Sequence, residues 1–352
     1  VNSPVQLTVD DAAKVYQNGL VAGRHDSRRR PVGHTLIPTL LRRSYVFRPA
    51  EERSLSARRQ CGPGSDGTPA GTEPAGVKSV LTSQTTNIVS KGCLDVRVAI
   101  NADLGEGYGR WDLGADDELM QYISAANIAC GMHAGDPPRM AKTVALAQRF
   151  GVGIGAHPSY PDLQGFGRRF VAIEPGDLRD FVTYQVGALM TFVKAAGAVM
   201  EHVKPHGALF NRAAEDEATA RAVVEGVRRV DPDLILVVLA GSVFEEVALS
   251  MGAPVAREVF ADRAYDRHGR LVPRSQPGSV ITDPIEAARR AWLMVSEGRV
   301  QAVTGEWVNV QADTICVHSD TPGAVHIARA VRETLERRGV AVVTTRAKLN
   351  GS

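Results

Sequence analysis

Nine histidines are spread along this 352-residue chain, and four of them stand in short polar clusters that follow apolar runs. The clusters are Asn101-Ala102-Asp103-Leu104-Gly105-Glu106-Gly107, Cys130-Gly131-Met132-His133-Ala134-Gly135-Asp136, His157-Pro158-Ser159-Tyr160-Pro161-Asp162 and Lys204-Pro205-His206-Gly207. Two more complete the set: Glu258 to Tyr265, which carries Asp262 and Arg263, and His318-Ser319-Asp320. Imidazoles and carboxylates gathered at one place support two chemistries. One is a divalent metal that activates water, with Asp103, His133, His157 and His206 as candidate ligands. The other is a metal-free acid–base set acting on a polarised carbonyl. The HExxH spacing of a metalloprotease helix is absent. Gly105, Gly107 and Gly109 miss the offset of a dinucleotide loop, and Gly76-Val77-Lys78-Ser79 is not a Walker A motif.

Each cluster also has a plainer reading. The spacing of Asp103 and Glu106 is that of a helix-capping box. His133 and Asp136 could be turn-formers. His157 precedes a proline and His206 follows one, so a stiff backbone fixes where each imidazole points. His202 and His326 fall inside regular elements and read as structural or surface residues; His25, His34 and His268 read as solvent-exposed. Arg168 and Arg169 follow Gly165-Phe166-Gly167 and could either grip an anion or edge the sheet.

The elements that must position these clusters are short. Apolar, β-rich runs occur at Val96–Ile100, Ala126–Ala129, Val152–Ala156, Glu201–Val203, Leu234–Leu239, Pro254–Arg257, Thr314–Val317 and Val340–Thr344. Helical periodicity alternates with them, in Leu178–Val193, Pro284–Ser296 and Gly323–Arg337, with Asp177 and Asp283 near helix starts. Alternating strands and helices build parallel sheets, whose ligand-binding loops converge at the carboxyl ends of the strands. About seven such units in ~250 residues favour a barrel or distorted barrel over an open sheet.

Composition narrows the class further. Hydrophobic residues make up 44% and charged residues 23%, which suffices for a full core. No apolar run approaches the ~18–20 residues of a membrane helix, and the first residues lack the apolar stretch of a signal peptide, so a cytoplasmic location and no membrane partner are expected. Residues 1–95 carry a net charge of +5 and residues 96–352 of −3. The basic residues are not arranged on one face, which argues against nucleic acid. Residues 1–95 lack periodicity and read as a disordered extension, or as upstream sequence ahead of a misjudged start, with the folded domain at 96–352. Cys61, Cys93, Cys130 and Cys316 form no CxxC pair; Cys130 and Cys316 read as buried small hydrophobes.

Six stretches carry a resemblance: INADLGEGYG (100–109), SAANIACGMHAGDP (124–137), IGAHPSYPDLQGFGRR (154–169), HVKPHGALFN (202–211), EVFADRAYDRHGRLVPRSQPGSV (258–280) and DTICVHSDTP (313–322). With them the chain closely resembles the LamB/YcsF family, known as the A subunit of the prokaryotic 5-oxoprolinase. The resemblance implies an α/β fold, an irregular (β/α) barrel like that of polysaccharide deacetylases. It implies ATP-dependent opening of 5-oxo-L-proline to L-glutamate with ADP and phosphate, carried out with subunits B and C. On that reading Asp103, Glu106, His133, His157 and His206 activate water or the lactam, and Lys204, also catalytic, clamps a phosphate or carboxylate. Asn101, Asp136, Arg169, Glu258, Asp262, Arg263, Tyr265, His318 and Asp320 bind substrate or phosphate. ATP is then the cofactor, and a divalent metal stays open. Met132 and Phe210 stand where the family usually has phenylalanine and tyrosine. Ser319 stands where glycine is expected, and a positive φ there would strain the loop and tilt His318. Two other functions remain to be weighed: a stand-alone metal-dependent amidohydrolase or deacetylase, and a non-catalytic protein that binds a lactam or sugar.

Overall fold

The structure is a computed structural model, and it describes residues 96–351. Eight parallel strands carry the fold: β1 (Arg97–Leu104), β2 (Ala125–Ala129), β3 (Gly153–His157), β4 (Met200–Val203), β5 (Ile235–Leu239), β6 (Val255–Phe260), β9 (Thr314–Cys316) and β10 (Ala341–Val342). An antiparallel hairpin, β7 (Arg299–Gln301) and β8 (Trp307–Asn309), stands apart. The helices are α1 (Asp116–Leu119), α2 (Pro137–Phe150), α3 (Pro175–Ala195), α4 (Gly207–Ala213), α5 (Glu217–Val230), α6 (Val243–Ser250), α7 (Pro284–Ser296), α8 (Ala324–Arg337) and α9 (Thr345–Asn350).

Neighbouring strands run β1-β2-β3-β4-β5-β6-β9, and β9 pairs back onto β1, so seven parallel strands close into a barrel. The irregularity expected from the sequence lies at the seam. The first residues of β1 pair with β10 (Arg97↔Ala341) and the next with β9 (Ala99↔Thr314), so two short strands share one edge. A register shift between β3 and β4 adds a second departure. The expected strands all appear, displaced by a few residues at their ends. The β7–β8 hairpin was not expected, because its three-residue strands are too short for a periodic signal. The expected extension at 1–95 lies outside the described residues.

Alternation along each strand divides the two faces of the barrel wall. Val98, Ile100, Ala102 and Leu104 face the helices, as do Ile154 and Ala156, Leu236 and Val238, and Ile315, all in one continuous apolar core. The intervening residues face inward. Ile235, Val237 and Ala256 form a separate small apolar cluster, and Leu349 of α9 packs against it as a floor. Above that floor the interior becomes polar: Asn101, Asn127, His202, Glu258 and Thr314 are all buried. Helix starts are fixed by side chains that accept from free amides. Asp136 accepts from Arg139 N–H at 3.0 Å, Asp216 from Thr219 at 2.9 Å and Asp283 from Ile285 at 2.9 Å.

Gly155 is glycine because the His202 ring lies where its side chain would be. Gly155→Ala should therefore overpack the interior and cost about 1–3 kcal/mol. Gly187→Ala, in the middle of α3 with open space around it, should instead stabilise by ~0.5–1 kcal/mol. Urea unfolding of both variants checks the two opposite signs.

Candidate active site

The carboxyl ends of the barrel strands open into a cavity of about 950 Å³. Asp103, Glu106, His157, Lys204 and His206 lie in its wall, with Arg168, Arg263, Arg270, Arg274, His268, His318 and Asp320. Five of the six residues expected to be catalytic therefore share one cavity. The sixth, His133, is fully enclosed behind Glu106.

Lys204 follows β4 directly and points across the barrel. Its Nζ lies 2.9 Å from Glu258 Oε1, 3.1 Å from Asp103 Oδ1, 3.3 Å from Asn101 Oδ1 and 3.1 Å from Cys316 Sγ. An ammonium has three donors, so these acceptors already saturate it. Burial alone would favour the neutral amine, but Asp103 and the other partners outweigh it and raise Lys204 well above its ordinary range. Burial would likewise raise Asp103, yet His157 and Lys204 hold that carboxyl well below the ordinary value. For Glu258 burial wins over the Lys204 ammonium, and its carboxyl is raised.

A second layer of amides holds this group. Asn127 Nδ2 donates to Asn101 Oδ1 (2.8 Å) and Asp103 Oδ1 (2.9 Å), and Asn101 Nδ2 donates to Glu258 (3.0 Å) and Thr314 (2.8 Å). His202 Nε2 meets Asn127 Oδ1 at 2.9 Å; an amide oxygen only accepts, so Nε2 carries the proton. Asn101 is thus a buried brace beneath the cavity. His202 is structural, as expected, but it steadies the site from below. Cys316 is buried, yet its sulfur faces Lys204 as well as the core, which a lone cysteine after an apolar run does not reveal.

Around Glu106 the histidines close in. Glu106 Oε1 lies 3.1 Å from His133 Nε2 and 3.1 Å from His206 Nδ1. The His133 and His206 rings stack with centroids 3.9 Å apart. Burial would raise the Glu106 carboxyl, but His133 and His206 beside it lower it far below the usual range. Burial, reinforced by His206, pushes His133 down to about 3, so it is neutral at ordinary pH. The loop over this group is strained: Phe166 is the single non-glycine residue with positive φ (54°) among those described, and its carbonyl receives His206 Nε2–H at 2.9 Å. Beside it, a side chain on Gly167 would fall on Ser159 and crowd His206 and His133.

The remaining expected residues divide. His318 is fixed by Asp262, which accepts from ring Nδ1 (2.9 Å) and from the His318 backbone N–H (3.2 Å), while Thr321 donates to the same carboxylate (2.8 Å). Ser319 has no positive φ, so the strain expected of it does not arise. Asp320 pairs with Arg168 and, at 3.5 Å, with Arg274 at the cavity mouth. Arg263 lines the cavity but also donates to Val272 O (2.6 Å) and Ser279 O (3.3 Å). Asn101, Glu258 and Asp262 are buried behind the cavity wall, and three further expected binders are placed elsewhere. Asp136 caps α2 and accepts from Gly109 N–H, so both its oxygens are committed to backbone. Arg169 pairs with Asp162 outside the cavity wall. Tyr265 is buried, its hydroxyl accepting from Phe260 N–H at 2.8 Å. The capping-box alternative for Asp103 and Glu106 also fails, because β1 runs through Asp103 and no helix starts there. His268, read as merely exposed, stands at the mouth with Arg270.

Two groups of side chains have metal-ligand character: Glu106, His133, His157 and His206, and separately Asp103, Cys316 and His318. The second already encloses the Lys204 ammonium, whose charge opposes any further cation. The first encloses no ammonium or guanidinium and could hold a metal.

Residues 98–350 match the LamB/YcsF family. The chain belongs to that family. A relative from Pyrococcus furiosus, described as the A subunit of 5-oxoprolinase, is 54% identical over 248 residues, covering 70% of this chain and 97% of its own length. One of the same description from Thermus thermophilus is 53% identical over 247 residues, with 70% and 99% covered. A crystal structure of a lactam utilization protein from Thermus thermophilus superposes with a TM-score of 0.68 at 52% identity, over 70% of this chain and 99% of that one. Among the described residues no helix of this LamB/YcsF chain is long and apolar enough to cross a membrane.

His202 is held down to about 3, chiefly by burial and then by the Lys204 charge. Its folded value lies below the unfolded one of about 6.5, so it contributes stability above pH 6.5 that is lost as pH falls toward 3. In that window the unfolded chain binds one more proton than the folded one at this site, a slope approaching ~1.4 kcal/mol per pH unit. His202→Asn should be less stable at neutral pH and should lose that component of the acid slope, measured by urea unfolding between pH 7 and 4.

Proposed function

We propose that this chain is the lactam-opening subunit of an ATP-dependent 5-oxoprolinase, working in the cytoplasm with separate B and C subunits. The observation that carries the reading is one cavity with two chemically different ends. Its floor holds Asp103, Glu106, His157 and His206, and its mouth holds Arg168, Arg270 and Arg274. Relatives described as the A subunit of 5-oxoprolinase, matching the chain along nearly their whole length, give the substrate class.

A five-membered lactam is a stable amide, and water attacks it slowly. Transfer of the ATP γ-phosphoryl group to the amide oxygen would turn that oxygen into a leaving group. ADP leaves in that step; water then adds to the ring carbon, the carbon–nitrogen bond opens to an acyl phosphate with a free amine, and a second water displaces phosphate to leave L-glutamate. The floor suits the activation of water, since His157 and His206 offer imidazole nitrogens beside two carboxylates. The arginines suit a phosphate and the substrate carboxylate. Lys204 acts through Asp103: with its donors saturated, it holds that carboxylate ionised and in place rather than gripping substrate itself. The chain has no Walker A motif, so the nucleotide is held by the mouth loops or by a partner.

A second reading, a metal-dependent amidohydrolase acting alone, draws on the Glu106–histidine group. The deciding measurement is glutamate release from 5-oxo-L-proline, with and without ATP, by the chain alone and mixed with B and C. Turnover confined to the ATP-containing mixture is the expected result. ATP-independent hydrolysis by the chain alone would instead favour the second reading. In the assembled enzyme Asp103→Asn should lower kcat by at least about 100-fold with the fold intact, in the range general acid–base groups supply.

A further inference from the structure

The protons on the two central histidines are fixed by the backbone. His157 Nδ1 lies 2.6 Å from the Lys204 carbonyl and His206 Nε2 lies 2.9 Å from the Phe166 carbonyl. A carbonyl only accepts, so both of these nitrogens must carry hydrogen. Each neutral ring then turns a bare lone pair, His157 Nε2 and His206 Nδ1, toward the other at 3.0 Å. Glu106 Oε1, also a lone-pair atom, stands 3.1 Å from His206 Nδ1 and 4.0 Å from His157 Nε2. Three electron-rich atoms thus converge with no hydrogen of their own to share, an arrangement that repels itself unless a cation sits among them.

We infer that Glu106 Oε1, His157 Nε2 and His206 Nδ1 form a three-ligand site for a divalent metal ion of the zinc class, with its fourth position open to the cavity. Two of the three spacings fit. Ligands about 2.0–2.1 Å from a tetrahedral ion lie roughly 3.3 Å from one another; the two spacings to His206 Nδ1, 3.0 and 3.1 Å, are close to that, and the 4.0 Å between Glu106 and His157 would have to shorten on binding. The backbone carbonyls behind His157 and His206 are the usual partners that set the tautomer and aim of a metal-bound imidazole. All three ligand residues line the cavity, so an ion there would meet a substrate oxygen. His133 is a positioning residue. Its Nε2–H donates to Glu106, leaving Nδ1 as a bare buried nitrogen; were Nε2 a ligand, Nδ1 would bury an unpaired N–H. Asp103 lies 3.3 Å from the same His157 Nε2, but that oxygen is already occupied by Lys204 and Asn127. Bound there, a metal would supply Lewis-acid polarisation of a carbonyl or phosphoryl oxygen. The site stands on this geometry alone and does not depend on the lactam-opening reading.

The test is metal binding by the full chain without partners, nucleotide or lactam. Metal-stripped protein is titrated with Zn²⁺ by calorimetry and with Co²⁺ by visible absorption. One equivalent of each is expected, with the strong visible bands of tetrahedral Co²⁺ and a raised Tm in Zn²⁺. His157→Ala and His206→Ala should each lose at least about 100-fold in affinity, His133→Gln roughly 10–100-fold, and Asp103→Asn little. Far-UV circular dichroism confirms that each variant is folded, and His206→Gln replaces any that is not. The inference is overturned if the wild-type chain binds less than one equivalent, or if His157→Ala and His206→Ala bind as wild type does. A proton on one imidazole would then be what holds the three atoms together. Either result leaves the ATP-dependent activity assay to be decided independently.

Discussion

The Lys204 ammonium is sealed inside the barrel, and most of the site takes its position from it. It meets Asn101 and Asp103 from β1, Glu258 from β6 and Cys316 from β9, while its own backbone follows β4. These strands are not all neighbours, so the charge ties together walls that the sheet hydrogen bonds join only the long way round. Stability is a weak reason for such an arrangement, because apolar residues of similar volume fill an interior at least as well. What the ammonium supplies is placement: it fixes an ionised Asp103 at the cavity floor, while burial, against the ammonium, keeps the Glu258 carboxyl beneath it raised.

The barrel interior is graded from end to end. Ile235, Val237, Ala256 and Leu349 close the bottom, an amide and histidine layer follows, and the charged groups come last, beside the cavity. The layers brace one another: Asn127 serves Asp103 and His202 serves Asn127. The Glu106–histidine group differs: backbone carbonyls consume the hydrogens and leave acceptors facing acceptors.

The strands, the main helices and the closed parallel barrel were legible because period-two and period-3.6 patterns report burial directly. The cavity floor was legible for a related reason: Asp103, Glu106, His157 and His206 end strands or open the loops after them, which is where parallel barrels gather their chemistry. Asp136 and Arg169 lie in the same kind of cluster, yet one caps a helix and the other pairs with Asp162, and a polar loop reads alike in either role. The parts played by Asn127, His202 and Cys316 were hidden because each sits within a strand, where a single polar residue does not announce its partner across a barrel. The mouth residues His268, Arg270 and Arg274 lie in a stretch without periodicity, so nothing local placed them.

That stretch belongs to the long passage between β6 and β9. It folds back on itself through the isolated bridges Arg263↔Val280 and Tyr265↔Leu271, and Arg290 of α7 donates to the Arg263 carbonyl at 3.1 Å. The floor of the cavity is therefore made by strand ends that also close the barrel, while much of the cationic wall is made by a self-braced excursion. The two are separable in inheritance. Exchange of His268, Arg270 or Arg274 alters which charges greet an incoming ligand without touching a barrel strand, whereas exchange at the floor disturbs reaction geometry and barrel interior together. The charge at the mouth can thus be changed while the barrel interior beneath it stays as it is.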